Sequence, residues 1–249
     1  MTSRSQEVFF EVFEKLPRQG PGNLACTRRA LDFCQGLATP PRILDLGCGS
    51  GAQSLDLAQL TGGSILAIDL HAPLVERLRS QLQSQGLSER VEARVGDMSA
   101  LNLPASSFDL VWSEGALYNL GLERALAISK DLLRSGGYLA FTEAVWRTSE
   151  PPIEAREAFA DYPAMSRVDD VLHLAEKFGW DLMGHFELPD EAWWQDFYHP
   201  MERRIGELRE QYAGDKERLE ALEMVAQEPE MHRRCGHTYG YEFFILRKP

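Results

Sequence analysis

An α/β fold, with a parallel sheet covered by helices on both faces, is what three features of this sequence predict. The apolar run RILDL, Arg42 to Leu46, enters the glycine-rich turn GCGSGAQS without a break. Short apolar runs and helix-forming stretches then alternate as far as Thr142. After a change of character in the last third, the chain closes on another strand-like run, YEFFILRK. Strands that alternate with helices at this spacing pair in parallel, because each crossover returns the chain to the same end of the sheet.

The elements follow in order. Val8, Phe9, Val12, Phe13 and Leu16 recur at helical intervals and predict an amphipathic helix. It stops at LPRQGPG, residues 16–22, where two prolines and two glycines oppose regular structure. A second helix is expected over Ala25 to Leu37, so the N-terminal helices occupy about 5–37. Further strands are expected at Ser64 to Ile68 ending on Asp69, Val91 to Val95 ending on Gly96–Asp97, Phe108 to Trp112, and Tyr138 to Thr142.

Helices are expected through Leu74 to Gln83 and Glu123 to Leu133. Ser135–Gly136–Gly137 is read as closing the second, since glycine tolerates the left-handed conformation past a helix end. A helix at Asp169 to Lys177 and a strand at Trp180 to Leu188 come next. Before the last strand lies a charged, helical insertion, about 190–240. Its stripes, Met201–Ile205–Leu208–Tyr212 and Leu219–Leu222–Val225, fit core packing or a helical cap over the sheet edge. The whole chain, 1–249, then reads as one domain with a cap.

Charge narrows the partners. Lys and Arg number 26 against 38 Asp and Glu, a net charge of −12. Nucleic acid and anionic lipid both call for clustered Lys and Arg, so neither is expected. The longest uncharged stretch, Leu57 to Ile68, is too short for a membrane span of about 20 residues. Cys26, Cys34, Cys48 and Cys235 form neither a disulfide framework nor a CxxC pair. A cytoplasmic protein is expected.

Gly47-Cys48-Gly49-Ser50-Gly51 follows a strand and opens a helix, the place where a ligand approaches the backbone closely. With Ala52, the same residues fit the GxGxxA fingerprint of a dinucleotide site. S-adenosylmethionine is the competing ligand. Asp45, two residues before the first glycine, suits the amino group of a methionine moiety and gains nothing beside a pyrophosphate. Asp69 ends the second strand and suits ribose hydroxyls in either ligand. Asp97 and Met98 end the third, where an acid accepts from an adenine amino group and a methionine lies against the ring. Trp112-Ser113-Glu114-Gly115 ends the fourth at the carboxyl edge, where open α/β sheets bind ligands.

The runs ILDLGCGSGAQS, AIDL, GDMSALNLPASSFDLVWSEGAL and LLRSGGYLAFTE together resemble the class I S-adenosylmethionine-dependent methyltransferases over about residues 42–143. The flavour is similar to the small-molecule branch that includes ubiquinone and menaquinone C-methyltransferases. The resemblance implies a Rossmann-like, seven-stranded, mostly parallel sheet whose last strand is antiparallel. It implies that Gly47, Cys48 and Gly49 line the methionine portion of the cofactor, with Asp45 near its amino group. Asp69 would bind the ribose, Leu70 would lie beside the adenine, and Asp97 and Met98 would fix that ring. Glu114 would sit near the sulfonium, and Arg18 is a candidate for the cofactor carboxylate.

The acceptor is less legible. Tyr118, Asn119, Trp146, Trp194, Tyr198 and Tyr239 are the candidates for its pocket, with Trp193, Phe197 and Tyr241 in the same aromatic clusters. Tyr118, His199 and His237 are the candidate bases, needed only if the acceptor holds a proton at neutral pH. His185, His199, His232 and His237 form no tight ligand pair, and no metal is expected. A small organic acceptor is the first reading. A protein or tRNA acceptor, a non-catalytic binder of S-adenosylmethionine, and a homodimer through the cap remain alternatives.

Overall fold

The computed structural model describes residues 3–249. Its centre is a seven-stranded sheet. The strands are β1 (Arg42–Leu46), β2 (Ser64–Asp69), β3 (Val91–Val95), β4 (Phe108–Glu114), β5 (Leu133–Trp146), β6 (Asp181–Glu187) and β7 (Tyr239–Arg247). Their order across the sheet is β3-β2-β1-β4-β5-β7-β6. The first five are parallel, and β7 runs antiparallel between β5 and β6.

The register explains why β1 is apolar throughout. Leu44 lies between Leu66 of β2 and Val111 of β4, and Ile43 lies between Ile65 and Leu110. The two sets face opposite sides of the sheet. Each joins its own buried cluster, so both faces are covered, as in parallel sheets generally.

Helices α1 (Ser3–Phe13) and α2 (Leu24–Asp32) precede the sheet. Asn23 caps α2 by accepting from the Cys26 amide at 2.9 Å. Next come α3 (Ala52–Thr61), α4 (Ala72–Ser84) and α5 (Leu122–Leu132) as crossovers. Between β5 and β6 lie α6 (Ile153–Ala158) and α7 (Val168–Lys177). The insertion before β7 holds α8 (Glu191–Trp193), a π turn over Trp194–Tyr198, α9 (His199–Gln211) and α10 (Lys216–Cys235).

This insertion folds back over the N-terminal helix. Val8 and Val12 share a buried cluster with Met201, Ile205, Leu208, Tyr212 and Leu222. Arg204 Nε donates to the Glu11 carbonyl at 3.3 Å, and the Tyr212 hydroxyl donates to the Glu11 carboxylate. The stripes therefore serve as core and cap at once.

Three sequence expectations shift. The first helix ends at Phe13 and not at Leu16; Leu16 is buried in the turn that follows. The second ends at Asp32, five residues short of Leu37. The glycines after α5 do not cap it. Leu133 is already extended (φ −79°, ψ 144°) and pairs with Phe108, so Ser135–Gly136–Gly137 lies inside β5, with Gly136 at φ +77°. The sheet claims Leu133 before a left-handed cap can form. Helix α6, six residues behind a proline pair, was too short to show a period.

Candidate active site

At the carboxyl ends of β1, β2, β3 and β4 opens a cavity of about 1200 Å³. Its floor is the glycine turn. Gly47 takes φ +73°, and a Cβ there would lie 2.3 Å from the Ala116 side chain. The backbone of the β1 turn is thus pressed against the segment after β4, bare of side chains.

Two carboxylates flank this floor. Asp69 Oδ2 accepts the Gly49 amide and its Oδ1 accepts the His71 amide, each at 2.8 Å. These bonds fix the carboxylate and leave further lone pairs on both oxygens. Asp97 Oδ1 accepts from the Ser99 amide at 2.7 Å, and that bond holds its carboxyl below the ordinary range. Leu70 and Met98 supply apolar surface between them, Leu70 being exposed.

Above the turn, Arg18 Nη2 donates to Glu114 Oε2 at 2.5 Å. Arg18 also meets Asp56 at 3.4 Å, while Trp112 Nε1 donates to the other Glu114 oxygen at 2.8 Å. Arg18 and Glu114 are both almost fully buried yet border the cavity. Asp45 does not border it. It is buried behind the turn, accepting from Ser54 Oγ at 2.5 Å and Gln53 Nε2 at 3.4 Å, and burial pushes its carboxyl up to about 7. Gln53, on α3, reaches the cavity in its place.

The opposite wall is aromatic. Phe9 and Phe13 come from α1, Trp193, Phe197 and Tyr198 from the insertion, Phe159 from the segment after α6, and Tyr241 from β7. Tyr118 and Asn119 close the side nearest Glu114. Glu228 of α10 also faces the cavity; its Oε1 accepts from the Tyr198 hydroxyl at 3.3 Å. Burial pushes the Glu228 carboxyl up to about 7.

The structure therefore brings together Arg18, Gly47, Cys48, Gly49, Asp69, Leu70, Asp97, Met98, Glu114, Tyr118, Asn119 and Tyr198. Besides Asp45, five candidates lie elsewhere. Trp146 packs edge-on against Phe159 at 5.5 Å and borders a separate hollow. Trp194 donates to Asp190 at 3.2 Å under the Arg233 guanidinium. Tyr239 is buried, its hydroxyl 2.9 Å from His232 Nδ1. His199 and His237 are exposed, and neither borders the cavity.

Glu228 is the main residue that sequence reasoning missed. Met224, Glu228 and Met231 recur at i, i+4 and i+7, a second face of the helix that carries Leu222 and Val225. That stripe was the available signal.

Residues 43–137 match a family model described as a methyltransferase domain. Over 128 residues the chain is 34% identical to aklanonic acid methyltransferase DauC of Streptomyces sp. (strain C5), covering 50% of this chain and 57% of that protein. It is 26% identical over 165 residues to the sarcosine/dimethylglycine N-methyltransferase of Aphanothece halophytica, covering 64% of this chain and 60% of that one. The chain thus spans little more than half the length of these curated relatives. The whole fold is similar to a methyltransferase from Thiobacillus denitrificans solved with S-adenosyl-L-homocysteine, at TM-score 0.83 and 20% identity, covering 97% of this chain and 98% of that one. A methyltransferase from Geobacter sulfurreducens, also solved with that compound, gives TM-score 0.84 at 20% identity, with 98% of each chain covered. Beyond residues 43–137, the insertion and the N-terminal helix fall within the same structural likeness.

Proposed function

We propose that this chain is an S-adenosylmethionine-dependent methyltransferase acting on a small organic acceptor. One observation carries the reading: a single cavity joins the bare glycine turn and its two carboxylates to an aromatic wall. Sites for one small molecule run to about 1000 Å³. This one has room for two.

The residues fit the cofactor. Gly47, Cys48 and Gly49 line the place for the methionine portion, with Gln53 held by Asp45 beside them. Asp69 keeps free lone pairs for ribose hydroxyls, and Leu70, Asp97 and Met98 surround the place for the adenine. Arg18, Glu114 and Trp112 set the ceiling there as one hydrogen-bonded unit. When bound, S-adenosylmethionine supplies a methyl carbon already activated by a positive sulfur. What the protein adds is alignment: the aromatic wall holds the acceptor's nucleophile in line and keeps water away.

A net charge of −12 supports a small molecule over tRNA, and four free, buried cysteines support a reducing, cytoplasmic setting. Among the described residues no helix is long and apolar enough to cross a membrane. The likeness to quinone C-methyltransferases rests on motif flavour alone. Calorimetric titration tests the cofactor: S-adenosylmethionine binds and NADH does not. Formation of S-adenosylhomocysteine is then followed with phenols, quinols, amines and thiols. Tight NADH binding without S-adenosylmethionine binding overturns the reading, and turnover that requires tRNA or protein overturns the small acceptor.

A further inference from the structure

We infer that the acceptor is a hydrophobic amine, held as a cation by Glu228 against the aromatic wall and deprotonated by the same carboxylate. The inference rests on the methyltransferase reading and narrows its substrate class.

Charge around the cavity is the first ground. Among the described residues its basic side chains are Arg18, Arg234 and His71, and each already has a carboxylate partner. Arg18 is held by Glu114 and Asp56, Arg234 Nε by Glu154 at 2.9 Å, and His71 Nε2 lies 2.7 Å from Glu14. Glu228 faces the same space without a cation. An acceptor that becomes a phenolate or an enolate would find no free cationic side chain here among the described residues, the cofactor's sulfonium being the one positive group left to meet it. An ammonium group meets the reverse situation.

Geometry is the second ground. Glu228 is placed by Tyr198, whose hydroxyl bonds one of its oxygens at 3.3 Å and leaves the other free. The rings of Tyr198, Trp193 and Tyr241 line the same cavity, with Trp193 and Tyr241 edge-to-face at 5.1 Å. These rings are packed, Trp193 being stacked on His232 at 4.3 Å, so they offer apolar contact to the body of an amine while Glu228 meets its charge. The titratable groups beside Glu228 are phenols: Tyr198 from the π turn, and Tyr239 and Tyr241 from β7. Burial raises all three, so they stay neutral across the physiological range.

The chemistry balances. The ammonium gives one proton to the ionised Glu228, leaving a neutral amine and a neutral carboxylic acid. The freed nitrogen pair forms the new N–C bond to the methyl carbon as the S–C bond breaks, its electrons remaining on sulfur. Positive charge passes to the methylated nitrogen, and Glu228 releases its proton to water as product leaves. A carboxyl whose affinity for protons lies close to neutral suits both halves of that cycle.

The test uses the full chain saturated with S-adenosylhomocysteine, so binding is read without turnover. Calorimetry compares 2-phenylethylamine, tryptamine and 4-phenylbutylamine with their alcohol isosteres, with 3-phenylpropanoate and with 4-ethylphenol. At least one amine should bind roughly 10–100-fold tighter than its alcohol, as a charged hydrogen bond would give. Glu228→Gln should abolish that preference while S-adenosylhomocysteine binds as before, and Glu228→Asp should retain part of it. Alcohols or 4-ethylphenol binding as tightly as the amines overturn the inference and leave the methyltransferase reading standing. So does a preference that survives Glu228→Gln. If S-adenosylhomocysteine itself fails to bind, both readings fall.

Discussion

Arg18 and Glu114, 96 positions apart, form a buried ion pair at 2.5 Å that fastens the N-terminal loop to the end of β4. Glu114 is also bonded by Trp112, so the pair ties the loop to the sheet's own hydrogen-bonded frame. It makes Arg18 part of the ceiling over the glycine turn.

Removing one partner should expose the dependence. Arg18→Met leaves Glu114 and Asp56 without their guanidinium, and a buried charge stripped of its partner costs about 3–5 kcal/mol. Urea unfolding should show a loss of that order. Adding Glu114→Gln should recover more than half of it. A single variant as stable as the parent would remove the pair from the fold's supports.

Gly47→Ala tests the floor. The added methyl would meet Ala116 at 2.3 Å in a backbone conformation that L residues rarely adopt. S-adenosylmethionine should bind at least tenfold more weakly. Gly62→Ala shares the left-handed φ (+66°) but faces open space, and should cost only about 1 kcal/mol with unchanged binding. Equal effects from the two would mean that the close approach at Gly47 is unimportant.

Asp69→Ala should also weaken the cofactor, because the ribose hydroxyls lose a charged acceptor and the Gly49 and His71 amides lose theirs. An unchanged dissociation constant would remove Asp69 from the site.

Glu143, on β5, should set a pH dependence of stability. It is buried, neither carboxyl oxygen has a well-placed hydrogen-bond donor, and burial pushes it up to about 7. A carboxyl raised in the folded state favours folding below its ordinary range, and that advantage is lost as pH rises through about 7. Glu143→Gln should therefore unfold with a flatter pH profile. Relative to the parent it should gain on the order of 3 kcal/mol between pH 4 and 8.5. Parallel profiles would show that Glu143 is solvated in a way its burial does not suggest.

His199→Asn and His237→Asn should leave kcat/KM for any accepted substrate within about twofold, since both rings are exposed outside the cavity. A tenfold loss in either would return that histidine to the candidate bases.

The parallel core was legible because each strand is a short apolar run trapped between turn residues, and β1 is buried on both faces. The floor of the cavity was legible for a related reason: apart from Asp45, its glycines and acids stand at strand ends, where their position follows from the alternation itself. The acceptor half was not. Tyr239 and Tyr241 sit two apart on β7 and so share a face, yet one is locked to His232 and the other reaches the cavity. Only depth along the strand separates them, and spacing does not encode depth. Glu228 stands among exposed acids of α10, and its burial depends on what packs over that helix. The glycines after α5 misled because a strand partner outcompetes a cap, a tertiary effect.

Strands β6 and β7 are neighbours in the sheet, so the roof leaves and re-enters the core through adjacent slots. Nothing between those slots sets the register of any other strand. A roof of different length or lining has to keep its joints with α1, with Ala155 of α6 and with Ala144 and Tyr239 of the sheet. Within those joints the lining can vary while the floor at the strand ends is kept, so a difference in acceptor between two such chains is expected to lie in 189–238 and 3–16.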